Sequence, residues 1–273
     1  MSQTSFRLAT WNINSVRLRI DQVVRFLKQH KPDILCLQET KCLDDQFPLK
    51  ALRTAGYGFH ALHGQKAYHG AAIIARLELQ NIEKIDFCNV GDARHVAATV
   101  PLEKPIGQHT KVRVHSVYVP AGGDEPDPKA NPKFDHKLRF VAEMQDRLVP
   151  DAALPTIVAG DLNIAPYEHD VWSHRQLLKV VSHTPVETEL FEKTRDALGY
   201  SDTMRKHLPL DEKLYSWWSY RARDWETSNR GRRLDHVWTC PRLSSHSVGF
   251  EVFKQARGWE KASDHAPVIV DYG

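Results

Sequence analysis

Two polar side chains with the chemistry of metal binding and proton transfer stand at the end of a short apolar run. Residues 156–159 are rich in apolar and β-branched side chains, which predicts a buried strand that stops at Gly160. Asp161 and Asn163 follow at alternate positions, and alternate side chains of an extended strand point the same way. A carboxylate there can bind a metal ion or accept a proton from water, and an amide can donate to an oxyanion. A simple turn after a strand is the alternative explanation of this pair.

Polar side chains of similar kinds stand near the ends of the other predicted strands. Ligands bind at the carboxyl ends of strands in open α/β sheets, so these side chains are candidates for one shared site. They are Asn12, Glu39, Tyr118, Asp161, Asn163, Asp235, Asp264 and His265. Each is weak evidence alone, because a lone glutamate is usually solvated and a lone tyrosine usually packs its ring. Their recurrence at several strand ends favours a functional site.

The types of these side chains indicate a divalent cation and a phosphate ester. Three or four converging carboxylates repel one another unless a cation lies among them. Their hard oxygen ligands favour Mg²⁺ or Mn²⁺ over zinc, which prefers histidine and cysteine. His265 directly follows Asp264, and a neighbouring carboxylate can hold an imidazole in place. A cation, an oriented water and these donors together suit the hydrolysis of a phosphate ester.

The elements that must position these residues are strands joined by helices or short turns. Strands are predicted at residues 6–13, 34–37, 70–75, 94–100, 111–119, 156–159, 234–238 and 267–270. Helices are predicted after Ser15, at residues 44–55, at 134–148 and at 185–198. Closely spaced strands flanked by βα units predict two packed mixed sheets with helices outside them.

Two of the helices have capping signals at their starts. Ser15 precedes an apolar, helically periodic stretch and is the predicted N-cap of the first helix. Thr184, Pro185 and Glu187 form a stronger start signal, and Gly199 is the predicted stop of that helix. These signals predict where the two helices begin and where the second one ends.

Length and composition are those of a large globular domain. The chain has 273 residues, 41% hydrophobic and 26% charged, and no flexible linker divides it, so residues 1–273 are predicted to form one domain. A net charge of +3 is compatible with a polyanionic partner without being diagnostic. No segment resembles a membrane span or secretory leader, which favours a cytoplasmic protein without a membrane partner. The four cysteines form no C-x-x-C pair and are predicted to be reduced.

An aromatic and basic stretch lies between residues 215 and 233. Trp217 and Trp218 stand in a run of aromatic residues and serines, and Arg221 and Arg223 follow. Arg230, Arg232 and Arg233 come shortly after. Aromatic rings interleaved with arginines suit the stacking of bases and the binding of phosphates. A core strand followed by a solvated basic loop explains these residues equally well.

Six short motifs, in order along nearly the whole chain, resemble the exonuclease III type of abasic-site endonuclease. They are Trp-Asn-Ile-Asn at 11–14, Leu-Gln-Glu-Thr-Lys at 37–41, Tyr-Val-Pro at 118–120, Gly-Asp-Leu-Asn at 160–163, Arg-Leu-Asp at 233–235 and Ser-Asp-His at 263–265. That type belongs to the endonuclease/exonuclease/phosphatase superfamily, which also contains DNase I and inositol-polyphosphate phosphatases. The Glu-Thr-Lys and Gly-Asp-Leu-Asn motifs are specific to the superfamily. Tyr-Val-Pro, Ser-Trp-Trp-Ser-Tyr-Arg and Asn-Arg-Gly favour the exonuclease III branch.

The resemblance implies a fold and an activity. The implied fold is a four-layer α/β sandwich, in which helices flank two packed mixed sheets as in DNase I. The implied activity is Mg²⁺- or Mn²⁺-dependent hydrolysis of the phosphodiester 5′ to abasic sites, with 3′→5′ digestion of duplex DNA, in base excision repair. The implied partner is double-stranded DNA with abasic sites or 3′ ends, and we expect a monomer.

The resemblance also implies roles for individual residues. The implied metal ligands are Glu39 as the principal ligand, Asn12 beside it, and Asp161, Asn163, Asp264 and His265 around them. The implied catalytic groups are Asp161 as the base for water, Asn163 as the group that orients water and phosphate, Tyr118 on the phosphate, and His265, oriented by Asp235, on the charged phosphorus. The implied substrate-binding residues are Trp217 in a pocket for the extruded baseless sugar, with Arg221 and Arg230 on DNA. Whether Asp161 or His265 takes the proton is left open.

Four residues depart from the pattern of that family. Ala121 follows Tyr-Val-Pro where an asparagine or glutamine is usual, Asn14 stands where some relatives carry aspartate, and Gly123 and Asp124 replace a segment that inserts arginine into DNA. These changes leave the hydrolytic groups intact. They bear on the balance between incision at abasic sites and digestion from 3′ ends.

Two other functions stay open at the level of sequence. The first is a phosphatase of the same superfamily that acts on a small or lipid phosphoester, with the tryptophans in the core. The second is a DNA-binding protein that has a nuclease fold without catalysis. The intact Glu39, Asp161, Asn163 and His265 argue against the second function.

Overall fold

The elements are taken from a computed structural model, which describes residues 4–222 and 224–273. The strands are β1 (Phe6–Asn12), β2 (Ile34–Gln38), β3 (Phe59–His63), β4 (Ala71–Ala75), β5 (Gln80–Glu83), β6 (His95–Ile106), β7 (His109–Tyr118), β8 (Thr156–Asp161), β9 (Ser201–Asp202), β10 (Trp217–Trp218), β11 (Gly231–Arg232), β12 (Asp235–Thr239), β13 (Ser247–Val252) and β14 (Val268–Tyr272). The α-helices are α1 (Ile20–His30), α2 (Leu49–Thr54), α3 (Pro132–Arg147), α4 (His174–Leu177), α5 (Pro185–Ala197), α6 (Thr203–His207), α7 (Trp225–Ser228) and α8 (Pro241–Ser244). Short 3₁₀ turns lie at Asp44–Gln46, Phe87–Asn89, Glu168–Asp170 and Lys254–Gly258.

The larger strands form two six-stranded mixed sheets. The first sheet has the order β13-β14-β1-β2-β4-β3, and the second has the order β5-β6-β7-β8-β12-β9. Each contains one parallel pair, β1 with β2 and β7 with β8, and its other pairs are antiparallel. Helices flank the two packed sheets, so the predicted four-layer α/β sandwich is confirmed.

Alternation along β1 shows how the layers are built. Leu8 belongs to the main core, together with buried side chains of the second sheet such as Val114 and Ile157. Trp11 faces the opposite layer and packs against Phe26 of α1, with 5.6 Å between ring centroids. A strand buried on both faces is largely apolar, and in β1 only the partly exposed Arg7 and the buried Thr10 interrupt the apolar run before Asn12.

The first helix begins later than predicted, and the assignment of Ser15 as its N-cap is wrong. Helix α1 starts at Ile20 with Arg19 at the N-cap position. Ser15 has a φ of 87°, and its N–H donates to the carbonyl oxygen of Glu39 at 2.7 Å. The polar segment after β1 is therefore held against the end of β2 instead of starting a helix.

Other predicted boundaries changed for local reasons. The helix predicted at 44–55 is a 3₁₀ turn followed by α2, because the extended Phe47 before Pro48 interrupts it. Strands β3, β5 and β13 were not predicted. Helix α5 begins and ends close to its predicted bounds, and Glu187 accepts from the N–H of Thr184 at 3.0 Å.

Two features of the chain bear on its environment. No helix in the described part of the chain is both long enough and apolar enough to cross a bilayer. All four cysteines are free thiols; Cys36, Cys42 and Cys240 are buried, and Cys88 is partly exposed.

One glycine controls how closely β7 and β8 approach. Gly160 has a φ of 153°, and a Cβ atom there would lie 1.9 Å from the carbonyl oxygen of Val117. The backbone of the neighbouring strand cannot move aside without breaking the ladder that carries Asp161. Glycine is thus required one residue before the candidate catalytic aspartate.

We predict that Gly160→Ala lowers the free energy of unfolding by at least about 2 kcal/mol, because a backbone–backbone clash must be relieved. Urea titration followed by circular dichroism measures this change. The control is Gly249→Ala in β13, where a Cβ meets no atom within 4 Å. Equal stabilities of the two variants would show that the close approach is not required.

Candidate active site

The register of the second sheet brings three candidate residues to one edge. Tyr118 pairs with Asp161 across the parallel strands β7 and β8. Asp235 pairs with Asp161 across the antiparallel strands β12 and β8. Asp235 therefore reaches the same edge from the beginning of its strand, because β12 runs the opposite way.

The first sheet supplies two more residues at the facing edge. Asn12 ends β1 and pairs with Gln38 at the end of β2, so Glu39 follows immediately beside it. The amide nitrogen of Asn12 donates to Oε1 of Glu39 at 2.9 Å and to Oδ2 of Asp161 at 2.8 Å. This single amide connects the functional edges of the two sheets.

Several residues at this edge have a left-handed backbone. The φ angles of Asn14, Glu39 and Asn163 are 47°, 51° and 53°. Non-glycine residues adopt this region at a cost, and such residues concentrate at functional sites. The turn at Asn163, and not an extended strand, brings its side chain back to Asp161.

Asn163 is fixed by three hydrogen bonds. Its backbone N–H donates to Oδ1 of Asp161 at 3.1 Å, and its amide nitrogen donates to Oδ2 of Asp161 at 3.1 Å. The same amide nitrogen also donates to the carbonyl oxygen of Val119 at 2.9 Å. Both side chains predicted from the Gly-Asp-Leu-Asn motif are thus held together.

His265 lies between two buried carboxylates. Its Nδ1 is 2.8 Å from Oδ2 of Asp235, and its Nε2 is 3.7 Å from Oδ2 of Asp161. Burial alone would lower the pKa of His265, but the charges of Asp235 and Asp161 outweigh it and raise that pKa to about 10. Burial raises the pKa of Asp161 to about 7. The three groups form one coupled acid–base cluster.

Glu39 and Tyr118 form a second polar group beside this cluster. The hydroxyl of Tyr118 donates to Oε1 of Glu39 at 2.8 Å, and Nζ of Lys41 lies 2.8 Å from Oε2. Burial raises the pKa of Tyr118 well above its usual value, so the hydroxyl keeps its proton. Burial would also raise the pKa of Glu39, but Lys41 and Asn12 outweigh it and lower that pKa. Glu39 is accordingly an ionised carboxylate.

A cavity of about 730 Å³ opens above these groups. It is lined by the predicted residues Glu39, Tyr118, Asp161, Asn163, Trp217, Arg221, Arg230, Asp264 and His265. Asn12 and Asp235 are fully buried and do not line it. Every candidate site residue therefore lines the cavity or is buried beside a residue that does. Arg223, from the predicted basic stretch, lies outside the described residues.

The cavity wall also contains a tryptophan that the sequence did not single out as functional. Trp172 lines the cavity and carries no motif. Arg232, from the basic stretch that the sequence suggested for phosphates, lines it too. The predicted Asp264 accepts from Nε1 of the predicted Trp217 at 2.9 Å.

A buried lysine behind the cavity joins three of its loops. Nζ of Lys137 donates to the carbonyl oxygens of Asn163 at 2.8 Å and Ala121 at 3.4 Å. It also lies 2.6 Å from Oε2 of Glu187, and both side chains are fully buried. Oε1 of Glu187 accepts from the N–H of Ser182 at 2.8 Å, and Ser182, Ala121 and Asn163 all line the cavity.

Hard oxygen ligands suitable for a divalent cation surround the cavity. Among the described residues, the potential ligand atoms of Asp161, Asp235 and His265 lie within 4.8 Å of one another. Because His265 already pairs with Asp235, we interpret that group as an acid–base cluster, and the metal-ligand roles of Asp161 and His265 stay predictions. The ionised Glu39 and the carboxylate of Asp264 also line the cavity, and their oxygens match the preferences of Mg²⁺.

The sequence matches a known protein family. The endonuclease/exonuclease/phosphatase family matches residues 9–265, a range that contains every candidate site residue from Asn12 to His265. The chain belongs to this family.

Relatives within the endonuclease/exonuclease/phosphatase family are similar over nearly their full length. The chain is 30% identical to exodeoxyribonuclease III of Haemophilus influenzae, with 97% of this chain and 99% of that protein covered. It is also 30% identical to a Bacillus subtilis exodeoxyribonuclease, with coverages of 96% and 97%.

Solved structures have the same fold. NExo, a 3′ phosphatase from Neisseria bound to a product DNA hairpin, superposes with a TM-score of 0.86 at 30% identity, with 98% and 99% of the two chains covered. An AP endonuclease from Archaeoglobus fulgidus gives 0.85 at 28% identity, with the same coverages. The fold is therefore one on which DNA-processing enzymes are built.

We predict that Lys137→Met lowers the free energy of unfolding by about 3–5 kcal/mol, because it leaves the Glu187 carboxylate buried without its cation. The double variant Lys137→Met/Glu187→Gln should regain part of this loss, and denaturant unfolding measures both. The control is Lys193→Met on the exposed face of α5, with an expected change within about 0.5 kcal/mol. Equal stabilities of Lys137→Met and this control would contradict the assigned ion pair.

Proposed function

We propose that this protein is a Mg²⁺-dependent DNA repair nuclease that hydrolyses the phosphodiester 5′ to abasic sites and digests duplex DNA in the 3′→5′ direction. One observation carries the proposal. Asp161 lies at the cavity, with its carboxylate between His265 on one side and Asn12 and Glu39 on the other. This places a proton acceptor, a positive imidazole and an ionised ligand around one point.

The reaction class follows from the family and its members. Relatives of nearly equal length are exodeoxyribonucleases, and two solved relatives are a 3′ phosphatase and an AP endonuclease. The chain is accordingly a hydrolytic nuclease. Incision at abasic sites, in preference to digestion from ends, belongs to the proposal.

Activation of water is assigned to the coupled cluster. Asp161 is buried, its pKa is raised towards neutrality, and it accepts hydrogen bonds from Asn12 and Asn163, which hold its carboxylate in place. A carboxylate in this state is a suitable general base near pH 7. His265, held by Asp235, can supply positive charge or exchange the proton with Asp161 across 3.7 Å.

Binding of the scissile phosphate is assigned to the donors on the cavity wall. Tyr118 keeps its hydroxyl proton. The amide of Asn163 donates to Asp161 and Val119, and so fixes the carboxylate beside the bound phosphate. His265 adds a charged imidazole beside them. Preorganised donors of this kind stabilise the negative charge that develops on phosphoryl oxygens during hydrolysis.

The cation is assigned to Glu39, with Asn12 beside it and Asp264 nearby. A bound Mg²⁺ supplies positive charge that neutralises the phosphate and favours ionisation of water. Nζ of Lys41, 2.8 Å from Oε2 of Glu39, provides a positive charge that helps to keep this carboxylate ionised. Asn14 accepts from Lys41 at 2.6 Å and donates to Asp264 at 3.2 Å, which keeps both ends of the site in place.

DNA binding is assigned to the aromatic and basic wall. Trp217 is fixed by its bond to Asp264, and Arg221 and Arg230 line the same cavity with exposed side chains. A flipped baseless sugar can occupy this cavity beside the catalytic cluster. Contacts of arginine with phosphates make the binding dependent on salt.

We predict that purified protein cuts a duplex with one abasic site only when Mg²⁺ is present, leaving a 3′-hydroxyl on the 5′ side of the lesion. Asp161→Asn should lower the single-turnover rate at least about 100-fold, because a group that acts in the transition state is lost. Glu39→Gln should raise the Mg²⁺ concentration needed for half-maximal rate by about tenfold or more. Gel analysis of cut position and end chemistry measures these effects.

The control for both variants is Glu103→Gln, an exposed acidic residue on β6 outside the cavity. It should leave the rate and the Mg²⁺ requirement unchanged. Cleavage of abasic DNA in a chelator, or full activity of Asp161→Asn, would contradict the proposal. Faster turnover of inositol phosphates than of abasic DNA would favour the superfamily phosphatase instead.

A further inference from the structure

Arg232 is a cation on the cavity wall without an acidic partner. Its guanidinium carbon lies 5.3 Å from the ring centre of Trp217, and Nη1 donates to the carbonyl oxygen of Val181 at 3.0 Å and to Oγ of Ser182 at 2.8 Å. Nε is buried and forms no hydrogen bond within residues 4–222 and 224–273. No carboxylate of those residues pairs with this arginine.

The neighbouring arginine shows what a structural arginine looks like in this fold. Arg233 is fully buried and pairs with Asp170 at 2.8 Å and with Asp202 at 2.7 Å. Two carboxylates thus neutralise one guanidinium, as a buried charge requires. Arg232, one residue away, is largely enclosed but lacks this compensation.

The guanidinium of Arg232 is also held in a fixed orientation. Ser182, which accepts from it, donates its own N–H to Glu187, and Glu187 is anchored by Lys137. The guanidinium also lies over the ring of Trp217. A fork of donors that is fixed in advance loses little entropy when it binds a planar anion.

A second arginine on the same wall repeats the arrangement. The guanidinium carbon of Arg230 lies 4.7 Å from the ring centre of Trp172, and both residues line the cavity. Within the described residues, Arg230 forms no ion pair either. The cavity is therefore lined both by carboxylates, such as Glu39 and Asp161, and by two arginines that form no ion pair among the described residues.

We propose that Arg232, assisted by Arg230, is a subsite for an anionic group, a carboxylate or a phosphate, on the fragment that departs with the scissile phosphate. The inference rests on the proposed function and specifies its substrate class. Bidentate pairing with carboxylate or phosphate is the interaction for which a fixed guanidinium is best suited. Neutral fragments leave this cation without a partner.

The reaction itself is unchanged by this subsite. The oxygen of water bonds to phosphorus, the bond from phosphorus to the 3′ oxygen of the retained strand breaks, and that oxygen takes up a proton. The phosphate leaves with whatever group its other ester carries. Arg232 selects for a charge on that group.

Two kinds of DNA substrate carry such an anion on the departing fragment. In the first, the 3′ phosphate is esterified to a short acid such as glycolate, which presents a carboxylate. In the second, the residue in the cavity is internal, and the phosphate of the next nucleotide presents the charge. Both sources share the chemistry that the guanidinium recognises.

The decisive comparison uses matched substrates. A nicked duplex carries either a 3′-phosphoglycolate or the neutral 3′-phosphoglycolamide, which differ only in the terminal charge. We expect the wild-type protein with Mg²⁺ to prefer the glycolate in kcat/KM by about tenfold or more, as for a charge-assisted hydrogen bond. In Arg232→Met this ratio should fall to about one, and Arg232→Lys should give an intermediate ratio.

Further arms separate the two sources and control for charge. An internal abasic residue is followed by another phosphate, and an abasic residue at a 3′ end is not. If Arg232→Met lowers kcat/KM only for the internal abasic residue, the phosphate of the next nucleotide is the anion. Arg242→Met, an exposed arginine on α8 at the far end of β12, removes the same charge and should keep the wild-type ratio.

Each outcome decides the inference. Two results together would overturn it while leaving the nuclease function in place. The first is a wild-type kcat/KM ratio of phosphoglycolate to phosphoglycolamide near one. The second is an equal loss of kcat/KM on internal and terminal abasic residues in Arg232→Met. Failure of the wild-type protein to cut any DNA would instead overturn the proposed function. If Arg232→Met does not fold, as thermal unfolding would reveal, the wild-type ratio and Arg232→Lys still decide.

Discussion

The pairing of β8 with β7 on one side and β12 on the other is the constraint on which the site depends. It places Asp161 level with both Tyr118 and Asp235. A shift of one residue in either ladder would send a side chain to the opposite face of the sheet. The close approach at Gly160 keeps β7 and β8 in this register, so the catalytic geometry is a property of backbone pairing before it is a property of side chains.

Charge compensation is the second requirement, because the same edge buries several ionisable groups. His265 lies between Asp235 and Asp161, Lys41 pairs with Glu39, and the buried Lys137 holds the loop of Asn163. Each such group costs free energy unless an opposite charge or a hydrogen bond is near. The exceptions stand on the cavity wall, where the compensating charge must come from outside the chain. A site that binds a polyanion and a cation is expected to leave such positions open.

The sequence predicted the layers and the meeting of distant polar residues because both depend on short-range patterns. Apolar runs that end in polar residues mark strands, and the order of strands and helices limits how they pack. Ser15 was assigned wrongly because its partner, Glu39, is distant in sequence and determines its backbone. Lys137 was missed because a lysine on a helix resembles a surface residue, and its carbonyl partners lie 16 and 26 residues away. The roles assigned to individual site residues stay predictions that the mutants above test.

The pairing of β1 with β14 has a consequence for biosynthesis. During translation β1 emerges long before β14, one of its two neighbours in the sheet. Asp264 and His265 are likewise made after Glu39 and Asp161, so a nascent chain that displays only the earlier pair lacks part of the candidate active site. An interrupted chain would leave the edge of β1 exposed to aggregation and to proteases. Unfinished copies of a DNA-cutting enzyme would thus be both inactive and short-lived.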